Sequence, residues 1–278
     1  MKIAALQMVS TPDLGRNLET AARLVAEAAA AGAGLVALPE YFCLMGREAD
    51  KLAFAERSGE GPIQQALAEL ARRHDLWLIG GTLPVAAGAA AAADRAGERG
   101  AAPARVLNRC CVFGPEGREA AHYDKLHLFA FDNGRESYDE GRTLAAGSTP
   151  VAVACGALQV GLSICYDLRF PELYRALMNP PCDLLVVPAA FTYTTGRAHW
   201  ELLLRARAVE NQCYVLAAAQ GGTHENGRRT WGHSMIVDPW GEVLACRDEG
   251  EGVVIAELDP ARIAEVRRQL PALAHRRL

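Results

Sequence analysis

This sequence has no overall excess of positive charge. Its 29 Lys and Arg are outnumbered by 33 Asp and Glu in 278 residues, a formal net charge of −4. A sequence-blind grip on nucleic-acid phosphates needs a concentrated basic surface, so nucleic acid is not an expected partner. Long apolar runs are missing as well. None approaches the roughly 20 residues of a bilayer span, so no membrane is expected either. The opening MKIAALQMVS lacks the charged start, apolar stretch and small-residue cleavage site of an export signal, and the chain reads as cytoplasmic. No CxxC occurs and no close His pair has zinc-ligand spacing, which argues against a metal. The glycine-rich loops that cradle phosphates, GxxxxGK[ST] and GxGxxG after a strand, are absent, and no cofactor is expected. The GxSxG turn of serine hydrolases is absent too.

What is present suits an ordinary soluble core. Half of the residues are hydrophobic and 22% are charged, and the length is compatible with one domain spanning residues 1–278. The 8 cysteines are scattered through a chain too long to need stapling. Cys110 and Cys111 are neighbours, and a bond between neighbours is strained. Cys155, Cys213 and Cys246 lie in apolar, strand-like stretches and read as small core residues.

Strand-like and helix-like segments alternate. Helical periods cover residues 17–31, 62–74 and 197–211, with a short helix at the end of the chain. Strand patterns cover 2–9, 35–38, 76–80, 106–113, 119–123, 151–155, 158–164, 184–187, 213–218, 230–237, 243–246 and 252–258. The segment GPEG joins 106–113 to 119–123 as a hairpin. This is an α/β pattern with several hairpins, and two sheets packed face to face with helices outside would satisfy it. Residues 86–104 are nearly all Ala, Gly and Arg with a few acids and read as a loose surface excursion between two strands.

The near miss GLSIC draws attention to Cys165. Around it, LQVGLSICYDLRFPELYR reads as an apolar strand, the cysteine, a polar turn, then a helix from about Pro171. A side chain at the carboxyl end of a buried strand, facing a helix start, sits where α/β folds place their ligands. The backbone N–H groups of such a turn can face a developing oxyanion. The competing reading is an inert buried thiol like the other seven. A thiol nucleophile needs a proton acceptor and a positive field. His127 in KLHLF is one candidate base, although a lone histidine between leucines reads better as a packed, hydrogen-bonded residue. Lys125 follows a strand ending at Tyr123; taken alone it is a solvated surface charge. Glu40 follows LVALP beside Tyr41 and Phe42, as a loop or helix-capping residue or as a buried carboxylate suited to acid–base work.

Considered jointly, Glu40 in LVALPEYF, Lys125 in HYDKLHLF and Cys165 in VGLSICYDLRFPE, in this order and each at a strand end, resemble the nitrilase superfamily of carbon–nitrogen hydrolases. The resemblance runs from IAALQM to WGHSMIVDPWGEV, nearly the whole chain. It implies an α/β four-layer αββα sandwich, homodimers, and a Glu40–Lys125–Cys165 triad with Cys165 as nucleophile and Glu40 as general base and acid. Lys125 and the backbone N–H of Tyr166 would stabilise the oxyanion. A further glutamate of the family falls on Glu140 in YDEGRTLAAG, with Glu136 and Asp139 close by, and would position Lys125 and the substrate. Nitrile-specific members resemble one another in having Trp-Glu after the nucleophile; Tyr166-Asp167 stands here, which favours amides. The segments CYDLRFPEL and GHSMIVDPWGEV look most like the amidase subgroup. The expected substrate is a small primary amide bearing a carboxylate, releasing ammonia through a thioester. An N-carbamoyl amine hydrolase or a nitrilase is the alternative, and a catalytically idle scaffold would need a lost triad residue. Arg169 is the candidate for substrate carboxylate, against an ion pair with Asp167, Glu172 or another acid. Thr195 is a weaker candidate, against a helix N-cap near Gly196. Arg205, Arg207 and Glu210 share a helix and read as inter-subunit or surface ion pairs.

Overall fold

A computed structural model describes residues 1–87 and 105–277. From residue 88 onward, the segment read as a surface excursion lies outside the described residues. In chain order the elements are β1 (Lys2–Gln7), α1 (Leu14–Ala30), β2 (Ala33–Ala37), α2 (Asp50–Ala53), α3 (Pro62–His74), β3 (Trp77–Ile79), β4 (Leu83–Ala86), β5 (Val106–Phe113), β6 (Glu119–Asp124), β7 (Ala130–Asp132), β8 (Ser137–Asp139) and β9 (Leu144–Ala145). There follow β10 (Ala152–Cys155), β11 (Leu158–Leu162), α4 (Pro171–Ala176), β12 (Leu184–Ala189), α5 (Tyr193–Asn211), β13 (Tyr214–Ala219), β14 (Gly221–Thr223), β15 (Arg229–Trp231), β16 (Ser234–Val237), β17 (Val243–Arg247), β18 (Gly252–Glu257) and α6 (Pro260–Gln269). Short 3-10 turns stand at Glu140–Arg142 and Cys165–Arg169.

Two large sheets form. One runs β18-β1-β2-β3-β5, with β4 sharing the β3 edge of β5 and with β6 and β9 on its other edge. The other runs β10-β11-β12-β13-β16-β17. Within each, three strands are parallel, β1-β2-β3 and β11-β12-β13. The period-2 geometry of a strand explains how both faces are buried. In β1, Ile3 and Ala5 face the second sheet, while Ala4 and Leu6 face α1 and α3. Cys110 and Cys111 divide in the same way, one into each core, so the two neighbouring thiols face opposite ways. On the far side, Leu173 and Tyr174 of α4 and Trp200, Leu204 and Ala208 of α5 close over the second sheet. The layer order is therefore αββα, as expected.

Three expectations need correction. The strand read at 230–237 breaks into β15 and β16, because Gly232 (φ 72°) and His233 (φ 54°) turn the chain out of extended conformation. The halves pair with different partners, β15 with β14 and β16 with β13. Cys246 is exposed, on the edge strand β17, whereas Cys155 and Cys213 are buried as expected. Arg207 is 5% exposed and donates to Leu168 O at 2.7 Å while pairing with Glu210 at 2.9 Å, so it is an internal tie between α5 and the Cys165–Arg169 turn.

Gly81 shows how the fold fixes one functional loop. Its φ is +57°, and a Cβ there would lie 2.3 Å from Pro39 O. Only glycine lets this backbone pass beneath the residue preceding Glu40. Gly81→Ala is expected to lower the unfolding free energy by about 1–3 kcal/mol through strain at that position, and to slow any reaction that uses Glu40. A urea titration with an unchanged midpoint would contradict this.

Candidate active site

The carboxyl ends of the parallel strands converge where ligands bind in α/β folds. Glu40 stands three residues beyond β2, Cys165 three beyond β11, and Ala190 directly after β12. Lys125 directly follows β6. The first sheet thus supplies the carboxylate and the ammonium, and the second supplies the thiol.

Lys125 is completely buried and its Nζ donates to Glu40 Oε1 at 2.9 Å and to Glu140 Oε2 at 2.8 Å. Its backbone is held from both sides, its N–H by Asn108 O at 3.1 Å and its C=O by Gly147 N–H at 2.8 Å. Burial alone would depress its pKa, but the facing carboxylates of Glu140 and Glu40 overcome that and hold it well above the usual lysine range. Glu40 receives two more donors, Asn108 Nδ2 on Oε1 and the Ala190 N–H on Oε2, both at 2.9 Å. The C=O of Glu40 is fixed by Gln220 Nε2 at 3.1 Å. Glu140 accepts Tyr41 Oη–H at 2.8 Å and the Phe129 N–H at 2.8 Å. Burial pushes its pKa up, and the charges of Lys125 and Lys51 with these hydrogen bonds outweigh that, leaving it lowered.

Cys165 is 7% exposed and adopts φ 49°, the left-handed region that a non-glycine residue enters at a cost. Burial is the main cause that raises its pKa, and the Glu40 carboxylate adds to this, with Lys125 opposing. On balance these surroundings favour the neutral thiol over the thiolate. Asp167 locks the turn: its carboxylate accepts Tyr123 Oη–H at 2.7 Å, Ile164 N–H at 2.9 Å and His127 N–H at 3.0 Å. His127 Nδ1 lies 2.7 Å from the same carboxylate, and its ring stacks on Phe170 at 3.7 Å between centroids. It is the packed, hydrogen-bonded residue and is turned to Asp167. Tyr166 falls in the first turn of the 3-10 segment, where N–H groups have no acceptor within the helix.

Glu40, Glu140, Cys165, Tyr166, Arg169 and Thr195 line one pocket. Arg169 forms neither anticipated ion pair among the described residues; its Nη1 lies 3.2 Å from His199 Nδ1 and its guanidinium 5.4 Å from the Phe191 ring centre. Thr195 is not the N-cap of α5. Thr192 is, its Oγ1 accepting Thr195 N–H at 3.4 Å, and Thr195 sits inside the helix facing the pocket. Glu136 and Asp139 lie apart from Lys125, the first accepting from Thr194 Oγ1 and the second capping the 3-10 turn that carries Glu140. Sequence reasoning missed Asn108 and Arg228, which also lines the pocket. Asn108 had a signal, a polar residue amid the apolar VLNRCCVF.

A thiol and a carboxylate lining one pocket, with a buried ammonium hydrogen-bonded to that carboxylate, form the equipment of a covalent acyl-transfer hydrolase. The family model for carbon–nitrogen hydrolases matches residues 2–268, and the chain belongs to that family. It is 44% identical over 276 residues to a deaminated glutathione amidase from Synechocystis, covering 98% of this chain and 97% of that one. It is 38% identical to the human omega-amidase, over 99% and 95% of the respective chains. Among solved structures, the Caenorhabditis elegans NitFhit protein superposes with a TM-score of 0.87 at 38% identity, covering 99% of this chain and 65% of that longer one. A Saccharomyces cerevisiae member of branch 10 of the nitrilase superfamily gives 0.85 at 30% identity, over 98% and 94%.

The lowered pKa of Glu140 fixes a sign. Its folded form binds fewer protons than the unfolded chain in acid, so its contribution is present above the ordinary carboxylate value of about 4.3 and is lost as pH falls through the lower folded value. Glu140→Gln is expected to cost about 3 kcal/mol at pH 7 by unbalancing the buried Lys125, and to flatten the acid limb of stability against pH. Urea unfolding at several pH values between neutral and acid measures both. An acid limb as steep as that of the parent would contradict the assignment.

Proposed function

We propose that this protein hydrolyses the C–N bond of a small amide carrying a carboxylate on its acyl side. The observation behind this reading is that Glu40 and Cys165 line one pocket, while the buried Lys125 places its Nζ 2.9 Å from the Glu40 carboxylate. As the thiol attacks the carbonyl, Glu40 takes its proton. Negative charge gathers on the former carbonyl oxygen, where Lys125 and the N–H of Tyr166 stabilise it; one such donor is worth about 3 kcal/mol of barrier. Glu40 then protonates the leaving amine. That amine is ammonia from a primary amide and a larger amine from a substituted one. The thioester left on Cys165 is opened by water, which Glu40 activates in turn. Glu140 holds Lys125 and carries no proton itself. No step needs a metal or a nucleotide.

Arg169 is proposed to take the substrate carboxylate, with Thr195 beside it, because its guanidinium faces the pocket without a carboxylate partner among the described residues. Deaminated glutathione is the preferred substrate on the strength of the relatives that carry that name. Omega-amidase activity on 2-oxoglutaramate is the second reading, since relatives of that name also align over nearly the whole chain.

A homodimer in the cytoplasm is proposed as the working state. Leu202 is 68% exposed and Val209 49% exposed on α5, and Trp240 is 55% exposed. A Cβ at Gly241 would lie 2.7 Å from Val209, so the Trp240–Gly241 turn and the helix form one apolar surface suited to a second copy. All eight cysteines are free, which suits a reducing compartment. No described helix is long and apolar enough to cross a membrane.

Cys165→Ala is expected to abolish hydrolysis in a folded protein, and mass spectrometry of a stalled turnover to find the acyl group on Cys165 and not on Cys43 or Cys182. Glu40→Gln and Lys125→Met should each lower kcat/KM by about 100-fold or more, and His127→Asn by far less. A dead His127→Asn beside an active Glu40→Gln would overturn the scheme. Light scattering on Leu202→Glu should show monomer where the parent shows dimer; a monomeric parent at micromolar concentration would refute the assembly.

A further inference from the structure

A cavity of about 340 Å³, within the usual range of ligand pockets, opens beside the catalytic pocket. The two share Phe129, Glu140 and Arg228, so they meet at that arginine. Arg169 lines only the catalytic pocket. The two guanidiniums therefore stand differently with respect to Cys165, one at the catalytic end and one at the mouth of the larger cavity.

Arg228 is unspent. Its Nη2 donates to Ala190 O at 2.9 Å, its Nε is buried with no partner among the described residues, and its guanidinium lies 5.4 Å from the Tyr138 ring centre. The acids lining the cavity are engaged elsewhere. Glu48 pairs with Lys51 at 2.7 Å, Asp139 with Arg142 at 3.3 Å, and Glu140 with Lys125 at 2.8 Å. Among the described residues no carboxylate pairs with Arg228. A guanidinium left so, beside a cavity, is a receptor for a carboxylate.

Ala190 shows which end of the substrate this receptor meets. Its N–H holds Glu40, the group that protonates the departing amine, and its C=O holds Arg228. The general acid and the guanidinium are tied to the two ends of one residue, and Arg169, assigned to the acyl-side carboxylate, lines only the catalytic pocket, which leaves Arg228 and the larger cavity for the leaving-group side. We infer that Arg228 and the 340 Å³ cavity form a leaving-group subsite, which selects amides whose amine portion is itself extended and ends in a carboxylate, as a dipeptide does. The inference rests on the proposed amidase reading and deepens it. An amide that loses only ammonia leaves this cavity unused.

Three substrates with one acyl group test it: 2-oxoglutaramate, 2-oxoglutaryl-cysteinylglycine, and the latter with its terminal carboxylate converted to carboxamide. The parent enzyme is expected to prefer the free carboxylate over the carboxamide by at least about tenfold in kcat/KM, as one charge-assisted hydrogen bond allows. Arg228→Gln should bring that ratio close to one, and Arg228→Lys should restore part of it. If Arg228 only braces Ala190, the Gln variant loses activity on all three alike and keeps the ratio, which overturns the inference. Should the Gln variant not fold, the parent alone decides, since equal rates on acid and carboxamide overturn it as well. Turnover of 2-oxoglutaramate without discrimination leaves the amidase reading standing and the subsite refuted. Failure to turn over any of the three, with Cys165 never acylated, refutes both.

Discussion

One buried ammonium organises this molecule. Lys125 is completely shielded from bulk solvent, and an ammonium in that position costs several kcal/mol unless opposite charges and acceptors surround it. Glu40 and Glu140 supply them from two separate parts of the chain, the end of β2 and the 3-10 turn after β8. Each of these must be held in turn. Tyr41, itself in a left-handed conformation, reaches Glu140 with its hydroxyl and Thr82 with its backbone N–H. Gly147 packs so tightly on this strand end that a Cβ there would lie 2.2 Å from Asp124 O. The loops around the pocket are thus shaped by the need to neutralise one charge.

The nucleophile turn obeys a second constraint. Cys165 occupies a strained backbone region, and strain of this kind persists only where neighbours over-determine it. Asp167 is that neighbour. Completely buried, it collects hydrogen bonds from Tyr123 of β6, from His127 in the loop that follows, and from Ile164 at the start of its own turn. In the sequence it was notable as the residue standing where the nitrile-specific pattern has glutamate and as a possible partner for Arg169. In the fold it ties the turn carrying the thiol to the strand end carrying the lysine.

How far the sequence revealed this depends on the kind of information. The two-faced burial of β1, β2, β12 and β13 is written in their apolar runs, and the three strand-end motifs located Glu40, Lys125 and Cys165. Glu140 was legible only through its loop context, since nothing local separates it from Asp139 or Glu136. The break at Gly232-His233 was hidden because a β-branched and apolar run continues on either side of it. Cys246 looked like a core residue because edge and central strands share composition and differ only in what lies next to them. Arg207 looked like a surface charge because its partner, the carbonyl of Leu168, is a backbone atom 39 residues away in sequence. Arg228 gave no signal, since its significance lies in the absence of a carboxylate partner among the described residues, which only three dimensions reveal.

The division of labour between the sheets has a consequence for how this protein loses its chemistry. Glu40 and Lys125 hang from the first sheet, Cys165 and Ala190 from the second, and they are joined by the packing of one face on the other and by the hydrogen bonds of Asp167 and Ala190 across it. A loosened state that keeps both sheets but lets them slide, as in an acid-expanded globule, would retain its far-ultraviolet circular dichroism and still have no active site. Catalysis in such an architecture reports on docking, and it would disappear before secondary structure on the way to unfolding.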